Sequence, residues 1–309
     1  MADKTPILYH YPMSPYSEKI RLILGALRKR WYSVEVPAQP PRPLLETLAG
    51  GYRRIPVLQI GADLYCDTRL IVDVLLEGQS DHPLHPDHLS EESQAWVSRA
   101  EGPVFFASIS SASQWQILKF LFRGLGLRGT LHFLSDRAAM MKQSKTPPLP
   151  ARAARELFSE YLLDLEATLS KQIFIGGAEP DYADFCCYHP IWMAVALTVK
   201  PLDRAYPAIA GWMASMAEFG HGISQDLTAA AVMAAAETAP RTIAAERDFG
   251  QSRLGRQVRL APSDYGCDPV EGELVAETVD RWVVRRRSAN GVAVQLHFPR
   301  EGFDLEWLD

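Results

Sequence analysis

Three stretches of different periodicity predict a three-part protein: an α/β domain over residues 1–80, an all-helical domain over 86–238 and a small all-β appendage over 240–309. The first mixes short strands with amphipathic helices. The second repeats apolar residues at helical spacing, and the third alternates them between glycines. A chain of 309 residues is long enough for more than one domain.

The elements follow in order. An apolar run at 6–9 reads as a strand, and Ile20, Ile23, Leu24 and Leu27 recur at i, i+3, i+4, i+7 on the helix after it. Tyr32, Val34 and Val36 alternate as a strand with one covered face, before the proline-rich stretch 37–43 interrupts regular structure. Residues 56–60 and 64–65 form a hairpin around Gly61-Ala62-Asp63. Asp67-Thr68 then caps a helix with Ile71, Val74 and Leu75 on its inner face.

In the second region, Leu157, Tyr161, Leu165 and Leu169 line one helix face, with Phe158 and Leu162 beside them. After the loop 176–180, Asp181 followed by Asp184 is an N-terminal capping signal. The alanine-rich stretch 229–236 is helical and Pro240 closes it. His82, His85 and His88 stand among Pro83 and Pro86, which break helical geometry, so they read as an interdomain linker. In the third region Val292, Val294, Leu296 and Phe298 alternate strictly, 274–278 and 282–287 are strand-like, and Asn290-Gly291 is a two-residue hairpin signal. Alternation separates Arg285, Arg286 and Arg287 onto two faces, as solvated side chains instead of a basic patch.

Composition narrows the function. A hydrophobic content of 47% with 22% charged residues fits a globular protein with a sizeable core, and a net charge of −5 gives no reason to expect nucleic acid or an anionic membrane as partner. The sequence carries no run of about 18 apolar residues, so no membrane span is expected. The start, Met1-Ala2-Asp3-Lys4-Thr5, has no apolar signal segment, which points to the cytoplasm. Cys66, Cys186, Cys187 and Cys267 show neither CxxC nor zinc-type spacing, so no metal is expected and the thiols read as reduced.

The densest chemistry lies in Tyr11-Pro12-Met13-Ser14-Pro15-Tyr16-Ser17, where a strand hands over to a helix. Such a loop aims backbone N–H groups and hydroxyls at one spot near a helix N-terminus, where an anion such as a thiolate is stabilised. Together with Arg21, Arg54-Ile55-Pro56-Val57-Leu58, Asp67-Thr68 and Asp181-Tyr182-Ala183-Asp184, in that order, it resembles the serine-type classes of the glutathione transferase superfamily. The resemblance covers the first two regions. It implies a thioredoxin-like first domain, an all-helical second domain, a homodimer, and glutathione as co-substrate.

By that resemblance Ser14 donates a hydrogen bond to the glutathione thiolate, with Tyr16 and Ser17 as rivals, and Tyr9 and Tyr11 keep a tyrosine-type donor open. Ile55, before a cis Pro56, pairs with the cysteinyl backbone. Thr68 binds the γ-glutamyl carboxylate, Asp67 its ammonium group, and Arg54, with Arg53 behind it, the glycyl carboxylate. Met13, Phe105, Phe106 and Trp115 form an apolar electrophile pocket. Asp67-Thr68-Arg69-Leu70 is bulkier than the family's usual Glu-Ser step, and the absence of cysteine at 14–17 disfavours a mixed-disulfide reductase. The expected activity is attack of an activated glutathione thiol on an apolar electrophile, by conjugation, dehalogenation or ether cleavage. The alternative is a non-catalytic scaffold, or a glutathione-binding sensor, acting through the C-terminal β segment, which lies outside the usual family architecture.

Overall fold

β1 (Ile7–His10) is buried along its whole length, as suits an interior strand of a sheet. The structure is a computed structural model that describes residues 4–142, 144, 149–197, 202–242, 253–288 and 291–308. β1 lies parallel to β2 (Arg30–Glu35) and antiparallel to β3 (Val57–Ile60), which turns back into β4 (Asp63–Cys66). Gly61 makes that turn at φ +63°, a conformation that costs little only for glycine. Side chains alternate across the sheet. Leu8, Leu58 and Tyr65 meet α1 (Pro15–Ala26) and α3 (Thr68–Leu75), while Ile7, Tyr9, Val57 and Leu64 meet α2 (Pro43–Ala49). This is the thioredoxin-like domain expected from the sequence. Asp67 caps α3, and Ile71, Val74 and Leu75 are buried beneath it.

A 3-10 turn (Pro86–His88) in the linker leads to the helical domain. α4 (Glu91–Arg99) runs through a wide turn at Ala100–Val104, where Gly102 and Pro103 disturb the helical ladder, into α5 (Phe105–Ser110). α6 (Gln114–Lys142) is long and bent at Gly126. It is followed by α7 (Ala151–Leu169), α8 (Tyr182–Ala196), α9 (Leu202–Ala205) and α10 (Pro207–Ala217). Tyr161, Leu165 and Leu169 of α7 are buried with Phe158 and Leu162. α8 begins with a reciprocal capping box between Asp181 and Asp184 and is buried over most of its length. Cys66, Cys186 and Cys187 are free and buried. Among the described residues no helix is long and apolar enough to cross a membrane.

The chain then departs from the helical reading of its second region. β5 (Ile223–Asp226) pairs in parallel with β2 at the sheet edge, with all its residues exposed. α11 (Ala229–Ala236) follows, capped by Thr228, and buries Val232 and Ala236.

The last five strands are β6 (Gln257–Pro262), β7 (Val270–Glu277), β8 (Arg281–Arg287), β9 (Ala293–Pro299) and β10 (Phe303–Trp307). They do not close a sheet of their own. β9 lies parallel to β4, with Leu64 opposite Leu296 and Tyr65 opposite His297. One ten-stranded sheet results, in the order β10-β6-β7-β8-β9-β4-β3-β1-β2-β5. Its core is shared, since Val258, Leu274, Val294, Leu296 and Phe298 pack with Ile7, Tyr9, Val57 and Leu64. Asn290 of the expected hairpin lies outside the described residues. Of the three arginines expected to be solvated, Arg286 instead donates to the Thr47 and Leu48 carbonyls at the end of α2, at 3.2 and 3.4 Å.

Candidate active site

Ser14 is the N-cap of α1, held there because Pro15 fits the first helical position. Its Oγ accepts from the Ser17 N–H at 3.1 Å, which leaves the hydroxyl hydrogen without an acceptor among the described residues. Ser14 is only 2% exposed. Arg21, one turn and a half along α1, donates to the carbonyls of Tyr11 and Pro12 at 3.3 and 3.2 Å. Glu18 holds that guanidinium at 2.6 Å, so the loop before Ser14 is fixed from within its own helix.

Ser14 faces a cavity of about 410 Å³ between the two domains. Met13, Tyr16, Arg54, Ile55, Phe105 and Phe106 line the same cavity. Most of its remaining wall is apolar, from α6 and α8. The backbone makes room for it at Gly124 of α6, where a Cβ would stand 2.1 Å from the Met13 sulfur. The Ile55-Pro56 bond is cis.

Other expected residues fall elsewhere. Trp115 does not line the cavity; it sits in the first turn of α6, 73% exposed, with the apolar stripe of its helix turned outward. Ser17 is fully buried, and its Oγ has no hydrogen-bond partner among the described residues. Tyr9 lies on the opposite face of the sheet, with its hydroxyl donating to the Gln59 side-chain Oε1 at 2.5 Å. Tyr11 does reach the cavity. Pro56, Asp67 and Thr68 are not among the residues that line the cavity.

Thr68 belongs to a buried polar network that the sequence did not suggest. The Lys19 ammonium is fully buried and donates to Thr68 Oγ1 at 2.6 Å, to Glu101 at 2.5 Å and to the Tyr182 hydroxyl at 3.2 Å. Burial works against this ammonium, but Cys186 and Glu101 hold its pKa above the usual value. An ammonium only donates, so Thr68 accepts from it and keeps its own hydrogen for another group. Burial pushes the neighbouring Asp67 carboxyl up, with Lys19 opposing.

The arginines are rearranged as well. Arg54 pairs with Asp264, and its guanidinium lies 4.2 Å from the Tyr265 ring centre. Arg53 pairs with Asp136 at 2.7 Å and with Asp268 at 3.2 Å. Both expected carboxylate binders therefore have acidic partners of their own. Arg42, which also lines the cavity, is different. Its guanidinium donates to the backbone carbonyls of Pro37, Arg53 and Ala38. Burial, then the nearby Arg137 and Arg53, push its pKa down to about 10. A bound carboxylate would offset the like-charge repulsion from Arg137 and Arg53.

Asp264, Tyr265 and Asp268 belong to the loop between β6 and β7, so the C-terminal strands reach the cavity. No local signal in the sequence points to this. Asp264-Tyr265-Gly266 reads as an ordinary turn, and its arrival at Arg54 depends on β9 docking against β4. Among the described residues no group of three or more His, Cys, Asp or Glu could hold a metal ion.

Comparison with known proteins shows the family. The glutathione S-transferase N-terminal domain model matches residues 8–83, and the glutathione S-transferase C-terminal domain model matches residues 95–215. The chain belongs to the glutathione S-transferase superfamily. A GST-like protein from Pseudomonas syringae is similar over 99% of this chain and 100% of its own, at 29% identity and a TM-score of 0.77. Its match spans the C-terminal strands, which are thus part of a shared architecture. A glutathione S-transferase from Methylobacillus flagellatus with glutathione bound covers 69% of this chain and 95% of its own, at 18% identity and a TM-score of 0.49. A class Gtt2 enzyme from Vibrio parahaemolyticus covers 68% and 92%, at 16% identity and 0.46. No curated protein sequence matches the chain.

Proposed function

We propose that the protein is a glutathione transferase in which Ser14 activates the thiol for attack on an apolar electrophile. The observation that carries this reading is the Ser14 hydroxyl. It is buried at a helix N-terminus, has its hydrogen unspent, and faces a largely apolar cavity that Ile55 also lines. A thiolate placed there gains one charge-assisted hydrogen bond and the positive end of α1. Serine acts only as a donor in this scheme, so no general base is required. Ile55 offers its backbone to the cysteinyl unit, and Thr68, oriented by Lys19, offers its hydrogen to the γ-glutamyl carboxylate. Asp67 takes the ammonium group. For the glycyl carboxylate Arg42 is the better partner, since Arg53 and Arg54 are already paired. A homodimer fits the outward stripe of α6, where Trp115, Phe122, Leu127 and Leu131 are more than half exposed.

The test is calorimetric titration with glutathione, with the thiolate absorbance of the bound ligand followed against pH. Ser14→Ala should still bind. Its bound thiol should titrate about one to two units higher, because a hydrogen bond to a charged group contributes about 1.5–3 kcal/mol and one unit is about 1.4. Wild-type protein that binds no glutathione at millimolar concentration would sink the reading.

A further inference from the structure

A second cavity, of about 290 Å³, shares no lining residue with the one at Ser14. It forms where β9 docks on β4. Tyr65 of β4 and His297 of β9 stand opposite each other in register, with ring centres 4.4 Å apart. Asp73 and Val74 of α3, with Glu77 just beyond it, line the cavity from the thioredoxin-like domain. Asp280 and Arg281, where β8 begins, line it from the C-terminal strands, and Arg241 joins them from the segment after α11.

The polar groups here divide into engaged and free. Glu77 holds Arg241 at two points, and Asp280 holds Arg281 at 2.7 Å. Asp63 accepts from His297 Nε2 at 3.0 Å and from the Arg241 backbone N–H at 2.8 Å. A carboxylate only accepts, so Nε2 carries the imidazole hydrogen and Nδ1 keeps a lone pair. His297 is fully buried, and its Nδ1 has no partner among the described residues; neither has the buried Oδ1 of Asp73. Burial lowers the His297 pKa, with Asp63 opposing, so the ring is neutral at neutral pH. Burial pushes Asp73 up to about 6, with Arg69 opposing and Asp87 adding, so its charge is present at neutral pH. Both free groups are therefore acceptors, and three carboxylates line the cavity against two guanidiniums. The complementary ligand brings hydrogens and positive charge.

We propose that this cavity binds a small aliphatic diamine in its ammonium form. One ammonium group pairs with Asp73, and the other gives a hydrogen to His297 Nδ1. The methylenes between them lie against Tyr65 and Val74, the apolar part of the lining. A monoamine would leave one of the two acceptors unmatched. A metal ion is a poorer occupant, because among the described residues no group of three or more His, Cys, Asp or Glu could hold one. Asp73 belongs to the thioredoxin-like domain and His297 to the C-terminal strands, so the ligand bridges the seam between them. The proposal is independent of the glutathione reading.

The experiment is calorimetric titration of the full chain with 1,4-diaminobutane at neutral pH. The diamine should bind at a single site, and uncharged 1,4-butanediol should not bind. Asp73→Asn, which keeps the shape and removes the charge, should raise the Kd about 10- to 100-fold, as loss of a charge-assisted hydrogen bond does. Asp73→Glu should recover part of that loss. In hydrogen exchange the diamine should slow the amides of residues 73–77 and 278–281 of the wild-type protein, a readout that stands even should Asp73→Asn fail to fold. No binding by wild-type protein at millimolar diamine overturns the proposal, as does an unchanged Kd in Asp73→Asn or slowed exchange only elsewhere. Magnesium chloride that displaces the diamine at equal concentration would show a general cation site and overturn the ligand class.

Discussion

His10 shows how one side chain under the site is held in a single protonation state. Its Nδ1 lies 3.1 Å from a nitrogen of Arg21, which can only donate, so Nδ1 must be the acceptor and Nε2 carries the hydrogen, 3.1 Å from Ser33 Oγ. Burial, and then Arg21, lower its pKa from 6.5 to about 4. Between those values the unfolded chain binds a proton that the native chain refuses, so stability falls as pH drops through that window. From pH 7 to pH 5 His10 alone should remove about 2 kcal/mol. His10→Gln, which can still accept from Arg21 and donate to Ser33, should be flatter over this range by that amount in urea unfolding. Equal slopes for the two proteins would refute the assignment. Not all residues are as readable beforehand. Ser14 announces itself because Ser-Pro between a strand and an apolar helix has a local meaning, as N-cap and first helical residue. Tyr265 has no local signal, since its place beside Arg54 comes from residues more than two hundred positions away.

At the level of elements, α8 depends on its first turn. Asp184 accepts from the backbone N–H groups of Ile175, Gly176 and Asp181 and from the Trp212 indole, at 2.8 to 3.1 Å. Asp181 accepts from Ala183 and from the Ser93 hydroxyl. Losing the N-cap should cost about 1 kcal/mol, as is typical. Losing Asp184 strands several buried donors at about 1–3 kcal/mol each, partly recovered by relaxation, so about 3–5 kcal/mol is expected. Urea midpoints for Asp181→Ala and Asp184→Ala should therefore separate widely, and a smaller loss for Asp184→Ala would show that water replaces its bonds. This cap was legible because capping chemistry is local and its spacing is fixed. β5 was not. Ile223-Ser224-Gln225-Asp226 buries no residue, and backbone pairing at a sheet edge leaves no mark on side-chain choice. β9 was legible as a strand from Val294, Leu296 and Phe298, but not as a central one. The sign of that is Gln295 and His297 buried on its other face, with His297 3.0 Å from Asp63 of β4.

Across the whole molecule, the seam between β4 and β9 decides whether the C-terminal strands are an attachment or part of the fold. An attachment could be removed cleanly. Here Tyr52 meets Phe298 and Phe303 at 5.7 and 6.4 Å, and Leu64 and Cys66 share a core with Leu296 and Val294. At roughly 1.5–3 kcal/mol for each large apolar side chain buried, even part of this surface is comparable to a typical net stability of about 5–15 kcal/mol. Periodicity could not reveal this, because the same alternation fits a strand in its own sheet or in a shared one. The full chain should unfold with coincident changes in tryptophan fluorescence and circular dichroism. A chain ending at Thr242 should expose the β4 edge and its apolar face, and so aggregate or bind a hydrophobic dye when soluble. If that shortened chain is instead monodisperse, has native circular dichroism and melts within a few degrees of the full protein, the seam is a docking contact between independent units. The cavity would then lose Tyr265 without losing its floor, and the two halves of the site could be separated and assayed one at a time.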